Sequence, residues 1–486
     1  MKEACRILYA SSEVVPFAAT GGLGEVAASL PYALSQYQGS ALDIRLIMPY
    51  YRSVKKRWAD RASCLGSLTV PIGQEQKPMR LFCLSDQRIP IYLVENDAYF
   101  GRENLYGYED DIERFVFFSR AVMMASALSH FVPHLIHAND WQTAMIPVYQ
   151  KTIRGAEAPA TVFTIHNIEY QGRHDRRLIR HLLGLPADKE DLVEYQGDLN
   201  LMKGGIVCCD ALSTVSPTYM RELEEEENAF SLAPVIRQNR GKACGILNGI
   251  DTRMYDPGSD PSIIAPYSSD DLSGKARCRR ALLEELSLTP ANLDRDRTRP
   301  VIAMVGRLVY AKGLDLVLSL LEDLLRSKTI FFVLLGSGDD RYKDFFLHMQ
   351  KTFPDRVRAC FRYDPDLARR IYAGSDMLLM PSKSEPCGLS QMIAMRYGTL
   401  PIVRKTGGLA DSVTDAKEPK GTGFLFRDFT PDALRETISR ALSSYADRKS
   451  WEEMMQRDMN LDVSWRPSSK AYVDVYRKAK CEKQRP

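Results

Sequence analysis

The sequence has neither the cysteine spacing of a metal or disulfide framework nor a strong excess of charge. Its 10 cysteines are scattered over 486 residues, and no two of them form a C-x-x-C motif. This spacing excludes a zinc ribbon or a disulfide scaffold and is typical of a reducing, cytoplasmic compartment. The formal net charge of +3 is small for this length, so we expect no nucleic-acid partner and no membrane partner.

Long apolar runs are missing as well. No segment approaches the ~20 apolar residues of a membrane-spanning helix, and the apolar core of "MKEACRILYASSEVV" is too short for a signal peptide. Hydrophobic residues still make up 45% of the chain, and charged residues make up 26%. The chain can therefore build large cores under a solvated surface, and we expect a soluble protein of two or three domains.

Several catalytic signatures are absent. The chain contains no G-x-x-x-x-G-K-[ST] phosphate loop and no G-x-S-x-G nucleophile elbow. Its glycine pairs at loop–helix junctions do not match G-x-G-x-x-G, which argues against a dinucleotide-dependent oxidoreductase. His137, Asp140 and His166 could suggest a metal site, but no set of three ligands here has metal-site spacing.

What the sequence does contain is an alternation of short apolar runs with helical patterns. Several runs are apolar on successive residues, as expected for strands buried on both faces of a parallel sheet. The alternation predicts an α/β protein with doubly wound sheets. The predicted strands lie in "CRILYAS", "DIRLIMP", "PIYLVE", "HLIHAND", "TVFTIHN", "DALSTVS", "VIAMVG", "IFFVLLG", "DMLLMPS" and "TLPIVR".

A break in this pattern divides the chain into two Rossmann-like halves. The stretch "DPGSDPSIIAPYSSDDLSG", which begins at Asp256, has the composition of a linker, and "LTPANLDRDRTRP" is a second loop before the next strand. Polar residues follow the apolar runs in both halves. Because ligands of open parallel sheets bind outside the carboxyl ends of the strands, these residues are the candidates for a site.

Two similar glycine pairs open predicted helices. They lie in "TGGLGE", which begins at Thr20, and in "KTGGLADSV", which begins at Lys405. Free N–H groups and the helix dipole favour an anion at such a junction, although a glycine pair is more often only a tight turn.

Charged residues follow two later strands. Arg307 and Lys312 in "VGRLVYAKGLD" could clamp two phosphates or form an ordinary solvated pair. Glu385 in "PSKSEPCGLSQ" could bond sugar hydroxyls while the amides of residues 388–390 cradle a phosphate, or it could cap a helix. In the first half, "HANDWQTAM" and "TVFTIHNIEYQG" set polar groups beside an aromatic ring, which suits sugar binding better than a catalytic His–Asp pair.

Together these stretches resemble the family of bacterial glycogen synthases and plant starch synthases, which are retaining glucosyltransferases. The resemblance spans nearly the whole chain, from "SSEVVPFAATGGLGEV" through "YGYEDDIERFVFF", "GILNGID" and "TGFLF" to "SWRPSSKAYVDVYRKA", and it is most specific around "EPCGL". It implies a GT-B fold: two Rossmann-like domains facing a deep cleft, with a C-terminal helix that crosses back to the first domain. The implied domains are 1–255 on the acceptor side, 256–465 for the nucleotide sugar, and 466–486 for the helix.

The resemblance also implies roles for the residues at matching positions. The implied catalytic residues are Glu385, His166, Arg307, Lys312 and Asp140. The implied donor-binding residues are Gly21, Gly22, Glu25, Asn167, Asn248, Tyr363 (which would stack on the base), Cys387, Gly388, Leu389 and Ser390. The implied acceptor-binding residues are Trp141, Tyr106 and Tyr108.

Two positions depart from the family pattern. The first glycine motif of the family usually reads K-T-G-G-L-x-D, but here Ala19 replaces the lysine and Glu25 replaces the aspartate. Since that lysine lies near the donor phosphates in the family, the donor stays open between ADP-glucose and UDP-glucose. Related glycosyltransferases carry a second glutamate where this chain has Ile393, so Glu385 is the only candidate of that pair.

The resemblance implies transfer of glucose from ADP-glucose to the 4-hydroxyl of an α-1,4-glucan such as glycogen, with retention of configuration. The leaving phosphate oxygen would take the proton of the acceptor, while Arg307 and Lys312 stabilise the diphosphate. No metal and no cofactor are implied. The alternatives are the same reaction with UDP-glucose and a glucan-binding pseudoenzyme, which the presence of Arg307, Lys312 and Glu385 disfavours.

Overall fold

The computed structural model describes residues 4–155, 158–288, 299–327 and 330–483. The chain divides into two compact units. Unit 1 comprises Met1–Gly249 and Trp465–Pro486, and unit 2 comprises Ile250–Ser464. Most of the predicted second loop, "LTPANLDRDRTRP", lies outside the described residues.

Unit 1 contains one large sheet and one small sheet. Its strands are β1 (Cys5–Ala10), β2 (Leu42–Pro49), β3 (Ser63–Ile72), β4 (Glu75–Leu84), β5 (Ile91–Glu95), β6 (Leu135–Asn139), β7 (Ala160–Ile165), β8 (Arg173–Asp175), β9 (Glu194–Tyr195), β10 (Asp198–Asn200), β11 (Ala211–Thr214) and β12 (Ala243–Gly245). The large sheet has the order β12-β11-β7-β6-β1-β2-β5-β4-β3, and only β3 and β4 pair antiparallel with their neighbours. Strands β8, β10 and β9 form the small antiparallel sheet. The first strand therefore lies inside the sheet, between β2 and β6.

The helices of unit 1 connect these strands. They are α1 (Gly22–Ser35), α2 (Arg52–Trp58), α3 (Asp97–Phe100), α4 (Asp111–Met124), α5 (Ser126–Ser129), α6 (Met145–Tyr149), α7 (Leu201–Cys208), α8 (Pro217–Glu222) and α9 (Ala233–Gln238). Helix α1 forms because its apolar residues recur at helical spacing, so that one face can be buried. The buried apolar residues are Leu23, Val26, Ala27, Leu30 and Leu34.

Unit 2 contains a fully parallel sheet. Its strands are β13 (Val301–Val305), β14 (Phe331–Leu335), β15 (Val357–Cys360), β16 (Met377–Met380), β17 (Leu400–Arg404) and β18 (Phe424–Phe426). The order is β15-β14-β13-β16-β17-β18. Counted along this unit, the order is 3-2-1-4-5-6, which is the order of the Rossmann fold.

Amphipathic helices cover this sheet. They are α10 (Ser273–Glu285), α11 (Leu314–Ser327), α12 (Asp340–Thr352), α13 (Pro365–Gly374), α14 (Ser390–Arg396), α15 (Gly407–Ser412), α16 (Pro431–Ala446) and α17 (Arg448–Met459). Helix α11 is the clearest case, because its apolar residues follow the i, i+3, i+4, i+7 pattern. The buried members are Leu314, Leu316, Val317, Leu320, Leu321, Leu324 and Leu325, and they join the core that the strands form.

The last helix, α18 (Arg466–Lys483), belongs to unit 1. Trp465 donates its indole N–H to Ser29 Oγ on α1 at 2.8 Å. Tyr476 on α18 is hydrogen-bonded to His137 Nδ1 at 2.9 Å. Polar contacts as well as apolar packing thus attach this helix to the first half of the chain.

The predicted α/β class with parallel sheets is confirmed. Each of the apolar runs named above contains one strand, and β5, β6, β7, β14 and β16 are buried along their whole length. The β3–β4 hairpin was not among the predicted strands, because β3 and β4 are largely exposed and lack a continuous apolar run. Among the described residues, no helix has both the length and the apolar character that crossing a membrane requires.

Candidate active site

In each unit, predicted site residues follow the strands at which the sheet order reverses. In unit 1 the reversal lies between β1 and β6; the loop with Gly21 follows β1, and Asp140 follows β6. In unit 2 it lies between β13 and β16; Arg307 follows β13, and Glu385 follows β16. The crevice outside the carboxyl ends of the strands at such a point is the usual ligand site of an open α/β sheet.

An ion pair occupies the reversal point of unit 2. Lys312 Nζ donates to Glu385 Oε1 and Oε2, at 2.7 Å each. Ser382 Oγ donates to Oε2 at 2.9 Å. The side chain of Glu385 is 7% exposed and that of Lys312 is 26% exposed. The ammonium is therefore the more accessible partner, and it can contact an anion while it neutralises the carboxylate.

Backbone contacts set the two loops of this pair against each other. Gly313 has φ +71°, and a Cβ at this position would collide with the carbonyl oxygen of Pro381. Lys383 donates its backbone N–H to the carbonyl of Ala311 at 2.9 Å. Glycine is thus required next to Lys312, both for the left-handed backbone and for the close approach of the two loops.

The turn after Glu385 is held by Gln391, a residue that the sequence analysis did not single out. Gln391 is buried, and its Nε2 donates to the carbonyls of Cys387 (3.2 Å) and Gly388 (2.9 Å) and to Ser412 Oγ (3.0 Å). A glutamine in "EPCGLSQ" was visible in the sequence, but its residue type does not reveal that its amide faces inward and binds the turn.

Helix α14 begins directly after this turn. Leu389 is its N-cap, and Ser390 is its first residue. The N–H groups of a first helical turn lack intrahelical acceptors and are suited to an anion. Ile393 is buried on the same helix, so this side chain contributes to packing.

The second glycine pair is closed by its own chain. Gly407 and Gly408 are buried, and a Cβ at either position would collide with carbonyl oxygens of the turn at Glu385 and Cys387. Gly408 donates its N–H to the carbonyl of Glu385 at 3.1 Å. This junction therefore supports the Glu385 turn and is a packing contact, whereas the sequence pattern alone left an anion site open.

Arg307 and Tyr363 are exposed residues of unit 2. Arg307 lies two residues beyond β13, and Tyr363 follows β15 with 74% of its surface exposed. A large aromatic ring with this exposure, close to the carboxyl end of a strand, can stack on a planar ligand.

The first glycine pair is open. Gly21 is the N-cap of α1, Gly21 and Gly22 are both exposed, and nothing lies within 4 Å of a Cβ placed at Gly21. Glu13, which is buried, accepts from the backbone N–H of Thr20 at 2.6 Å and from its hydroxyl at 2.8 Å. The carboxylate of Glu13 thus holds the loop while the glycine backbone is left accessible. Glu25 lies in the first turn of α1 and is half-buried.

Asp140 and His166 form a buried polar cluster at the ends of β6 and β7. Asp140 Oδ1 accepts from the backbone N–H of His166 at 2.7 Å and of Asn167 at 3.3 Å. Burial raises the pKa of Asp140 to about 7, although these two N–H groups oppose the shift. Burial lowers the pKa of His166 to about 3, so the imidazole is neutral near pH 7. The backbone of Asp140 has φ +56°, a sparsely populated conformation that is common at functional sites.

Other predicted residues of unit 1 follow strands of the same sheet: Trp141 and Asn167 follow β6 and β7, and Asn248 follows β12. Trp141 packs edge-on against Phe115 at 5.2 Å, and Gly172 leaves the space that its ring fills. Asn248 is buried, and its Oδ1 has no hydrogen-bond partner among the described residues. An unpaired buried acceptor is costly, so Asn248 is suited to accept from a ligand hydroxyl. Asn167 Oδ1 accepts from the N–H of Glu169 at 3.0 Å.

The two predicted acceptor tyrosines make internal contacts. Tyr106 donates to Glu13 Oε1 at 2.8 Å and is hydrogen-bonded to Ser12 Oγ at 2.8 Å. Tyr108 accepts from the backbone N–H of Asn104 at 2.9 Å. The hydroxyl groups of both residues thus hold loops, and their acceptor-binding role stays a prediction.

Comparisons with known proteins agree with this architecture. Residues 6–238 match the family described as starch synthase catalytic domain, and residues 288–458 match glycosyl transferases group 1. The chain is 42% identical over 488 residues to a glycogen synthase of Syntrophotalea carbinolica, covering 97% of this chain and 98% of that protein. It is 39% identical over 479 residues to a glycogen synthase of Bacillus subtilis, covering 97% of each.

A solved structure gives the same result. The catalytic domain of starch synthase IV from Arabidopsis thaliana, bound to ADP and acarbose, has a TM-score of 0.90 and 31% identity, covering 99% of this chain and 100% of that one. The two α/β units and the matched families define a glycosyltransferase of the GT-B type. Within that class, the chain belongs to the family of glycogen and starch synthases.

Proposed function

We propose that this protein transfers glucose from ADP-glucose to the 4-hydroxyl of a growing α-1,4-glucan and retains the anomeric configuration. The observation that carries the proposal is the Lys312–Glu385 pair at the reversal point of the unit 2 sheet, directly before the N-terminus of α14. The starch synthase IV structure named above was solved with ADP, the nucleotide that ADP-glucose would release.

The donor diphosphate is assigned to Arg307, Lys312 and the backbone amides of residues 388–390, which lead into α14, with Tyr363 stacking on the base. Two cationic side chains and a helix N-terminus supply positive potential where negative charge grows as the diphosphate leaves. Cys387, which is buried, contributes backbone to this turn. In unit 1, the exposed Gly21–Gly22 backbone is assigned to a donor phosphate, with Glu25 in the turn that follows it.

In unit 2, Glu385 is assigned to the glucose ring. In unit 1, glucose hydroxyls are assigned to His166, Asn167 and Asn248. Hydroxyl groups need both donors and acceptors, and the buried, unpaired Oδ1 of Asn248 offers one acceptor. Trp141 offers a ring to the acceptor chain, and Asp140 lies beside it. Tyr106 and Tyr108 would contribute through their rings, since their hydroxyls bind within the protein.

The chemistry requires no strong protein base. The bond between the anomeric carbon and the diphosphate breaks, the leaving oxygen takes the proton of the acceptor 4-hydroxyl on the same face, and the new glycosidic bond forms there. Charge develops on the diphosphate and on an oxocarbenium-like ring. Lys312 is assigned to the first of these charges, and Glu385 is assigned to the second.

The test is incubation of the pure protein with glycogen and either ADP-glucose or UDP-glucose, followed by measurement of the released nucleotide and of label in glycogen. We expect release of ADP and incorporation of glucose, both reduced by about two to three powers of ten in Glu385→Gln. Release of UDP alone would mean that UDP-glucose is the donor. Binding of glycogen without release of a nucleotide from either donor would indicate a pseudoenzyme.

A cytoplasmic location is part of this proposal. All ten cysteines are free thiols, which is compatible with a reducing compartment. The proposed substrates are a nucleotide sugar and an α-glucan.

A further inference from the structure

Asn139, at the end of β6, is oriented by the carbonyl of Ala10. Asn139 is completely buried, and its Nδ2 donates to the Ala10 oxygen at 3.0 Å. A backbone carbonyl can only accept a hydrogen bond. The amide nitrogen of Asn139 must therefore face Ala10, and its Oδ1 must face the other way.

Two groups contact this Oδ1. Tyr9 donates its hydroxyl at 3.0 Å, and His166 Nε2 lies at 2.9 Å. Since an amide oxygen has no proton to give, the proton of the second bond must reside on His166 Nε2. In a neutral imidazole the other nitrogen then keeps its lone pair.

We propose that Asn139 is a positioning residue that fixes His166 as the Nε2–H tautomer, so that Nδ1 accepts a hydrogen bond from a hydroxyl of the bound glucose. The identity of the ligand rests on the proposed function, whereas the tautomer follows from the contacts alone. Within the side chain of His166, Nε2–H is bonded to Asn139, so Nδ1 is the ring atom that can accept from a substrate hydroxyl.

The surroundings keep the ring neutral. Its titratable neighbours are Tyr9 on β1, His137 on β6 and Asp140 after β6. Glu13, which follows β1, and Tyr219 on α8 interact electrostatically with Asp140. Burial raises the pKa of Tyr9 and lowers that of His137 to about 3, so both are neutral near pH 7. The pKa of His166 is lowered in the same way. One tautomer of one neutral form should therefore persist from about pH 5 to 8.

The test is nitrogen-15 NMR of the full-length protein without substrate, with labelled histidine rings. The chain has 7 histidines. The set of ring nitrogen signals that disappears in His166→Gln is assigned to His166. We expect a protonated Nε2 and an unprotonated Nδ1 in the wild type, without titration between pH 5 and 8. A protonated Nδ1 in the wild type would overturn the proposal.

Two variants test whether Asn139 fixes the tautomer of His166. Asn139→Asp places a carboxylate against Nε2–H and should raise the titration midpoint of His166 by about one to three pH units, with a matching shift of the low-pH limb of kcat. Tyr9→Phe is the matched control: it removes the other hydrogen bond to Oδ1 and should leave the tautomer unchanged. An unchanged titration of His166 in Asn139→Asp, or a changed tautomer in Tyr9→Phe, would also overturn the assignment to Asn139.

This experiment separates the inference from the proposed function. The expected tautomer together with no glucosyl transfer would refute the proposed function alone. Efficient transfer by a protein whose His166 carries its proton on Nδ1 would refute this inference alone.

Discussion

Replacing Lys312 by methionine should damage both the stability and the activity of the protein, for different reasons. The substitution leaves the Glu385 carboxylate, with a side chain only 7% exposed, with the Ser382 hydroxyl as its one remaining hydrogen-bond partner among the described residues. Breaking a buried ion pair from one side costs about 3 to 5 kcal/mol. Since Lys312 is 26% exposed and solvent screens part of the attraction, we expect a loss of about 2 to 3 kcal/mol in the free energy of unfolding.

Lys312→Met and Glu385→Gln form a double-mutant cycle, in which Glu385→Gln is the second single variant. It leaves the ammonium, which can turn towards water, so the expected loss is only about 1 kcal/mol. The double variant contains no uncompensated buried charge and should be more stable than Lys312→Met alone. We therefore expect a coupling free energy on the order of 1 to 2 kcal/mol from urea unfolding curves of the four proteins.

Activity should not follow stability through this cycle. If Lys312 also contacts the donor diphosphate, both single variants and the double variant lose about 10²- to 10³-fold in kcat. Lys343→Met is the matched control, because this lysine pairs with Asp340 on the exposed face of α12; its unfolding free energy should change by less than about 0.5 kcal/mol.

Two results would refute this reasoning. Additive stability losses would mean that Lys312 and Glu385 are not paired in solution. Recovery of activity in the double variant would mean that Lys312 serves only to neutralise Glu385 and does not bind phosphate.

Further predictions concern charge, pH and metal. Arg307→Ala should raise the KM for the donor and lower kcat, because charge on the diphosphate grows in the transition state. The control is Arg326→Ala, because Arg326 is an exposed arginine paired with Glu322 on α11. A change in the KM for glycogen alone would contradict the assignment of Arg307. Because burial raises the pKa of Asp140 to about 7, the folded state retains a proton that the unfolded state releases near pH 4. The contribution of Asp140 to the unfolding free energy should therefore fall as the pH rises from about 4 to 7, against the rise that the buried His137 and His166 contribute. Asp140→Asn should remove this contribution to the slope in urea titrations, and an identical slope in both proteins would show that Asp140 does not titrate there. The Cβ of Ala19 lies close to Gly24. Ala19→Lys should tighten the binding of ADP or UDP by about tenfold, as measured by calorimetry. Unchanged affinity for both nucleotides would mean that the glycine loop does not bind phosphate. Transfer should persist in excess chelator, and a loss that magnesium restores would disprove a metal-free reaction.

Much of the fold could be predicted because its strands are buried on both faces. A run such as "FFVLL" in β14 is stable only where apolar groups cover both sides, and the helical period of α11 required one buried face. The hairpin β3–β4 could not be predicted in this way, since exposed strands are stabilised by backbone pairing that any side chain permits. The sequence also set Arg307, Glu385, Asp140 and His166 just beyond strands, which located the candidate site along the chain.

The sequence by itself determined which residues stand at strand ends, whereas the tertiary structure decided what each of them can do. The two glycine pairs are almost the same string, yet Gly21–Gly22 is exposed and Gly407–Gly408 is filled by the carbonyls of the Glu385 turn. The roles of Gln391 and Asn139 depend on which carbonyls their amides meet. Hydrogen bonds and burial join residues that are far apart in the chain, and these contacts exist only once the sheet order has brought their loops together.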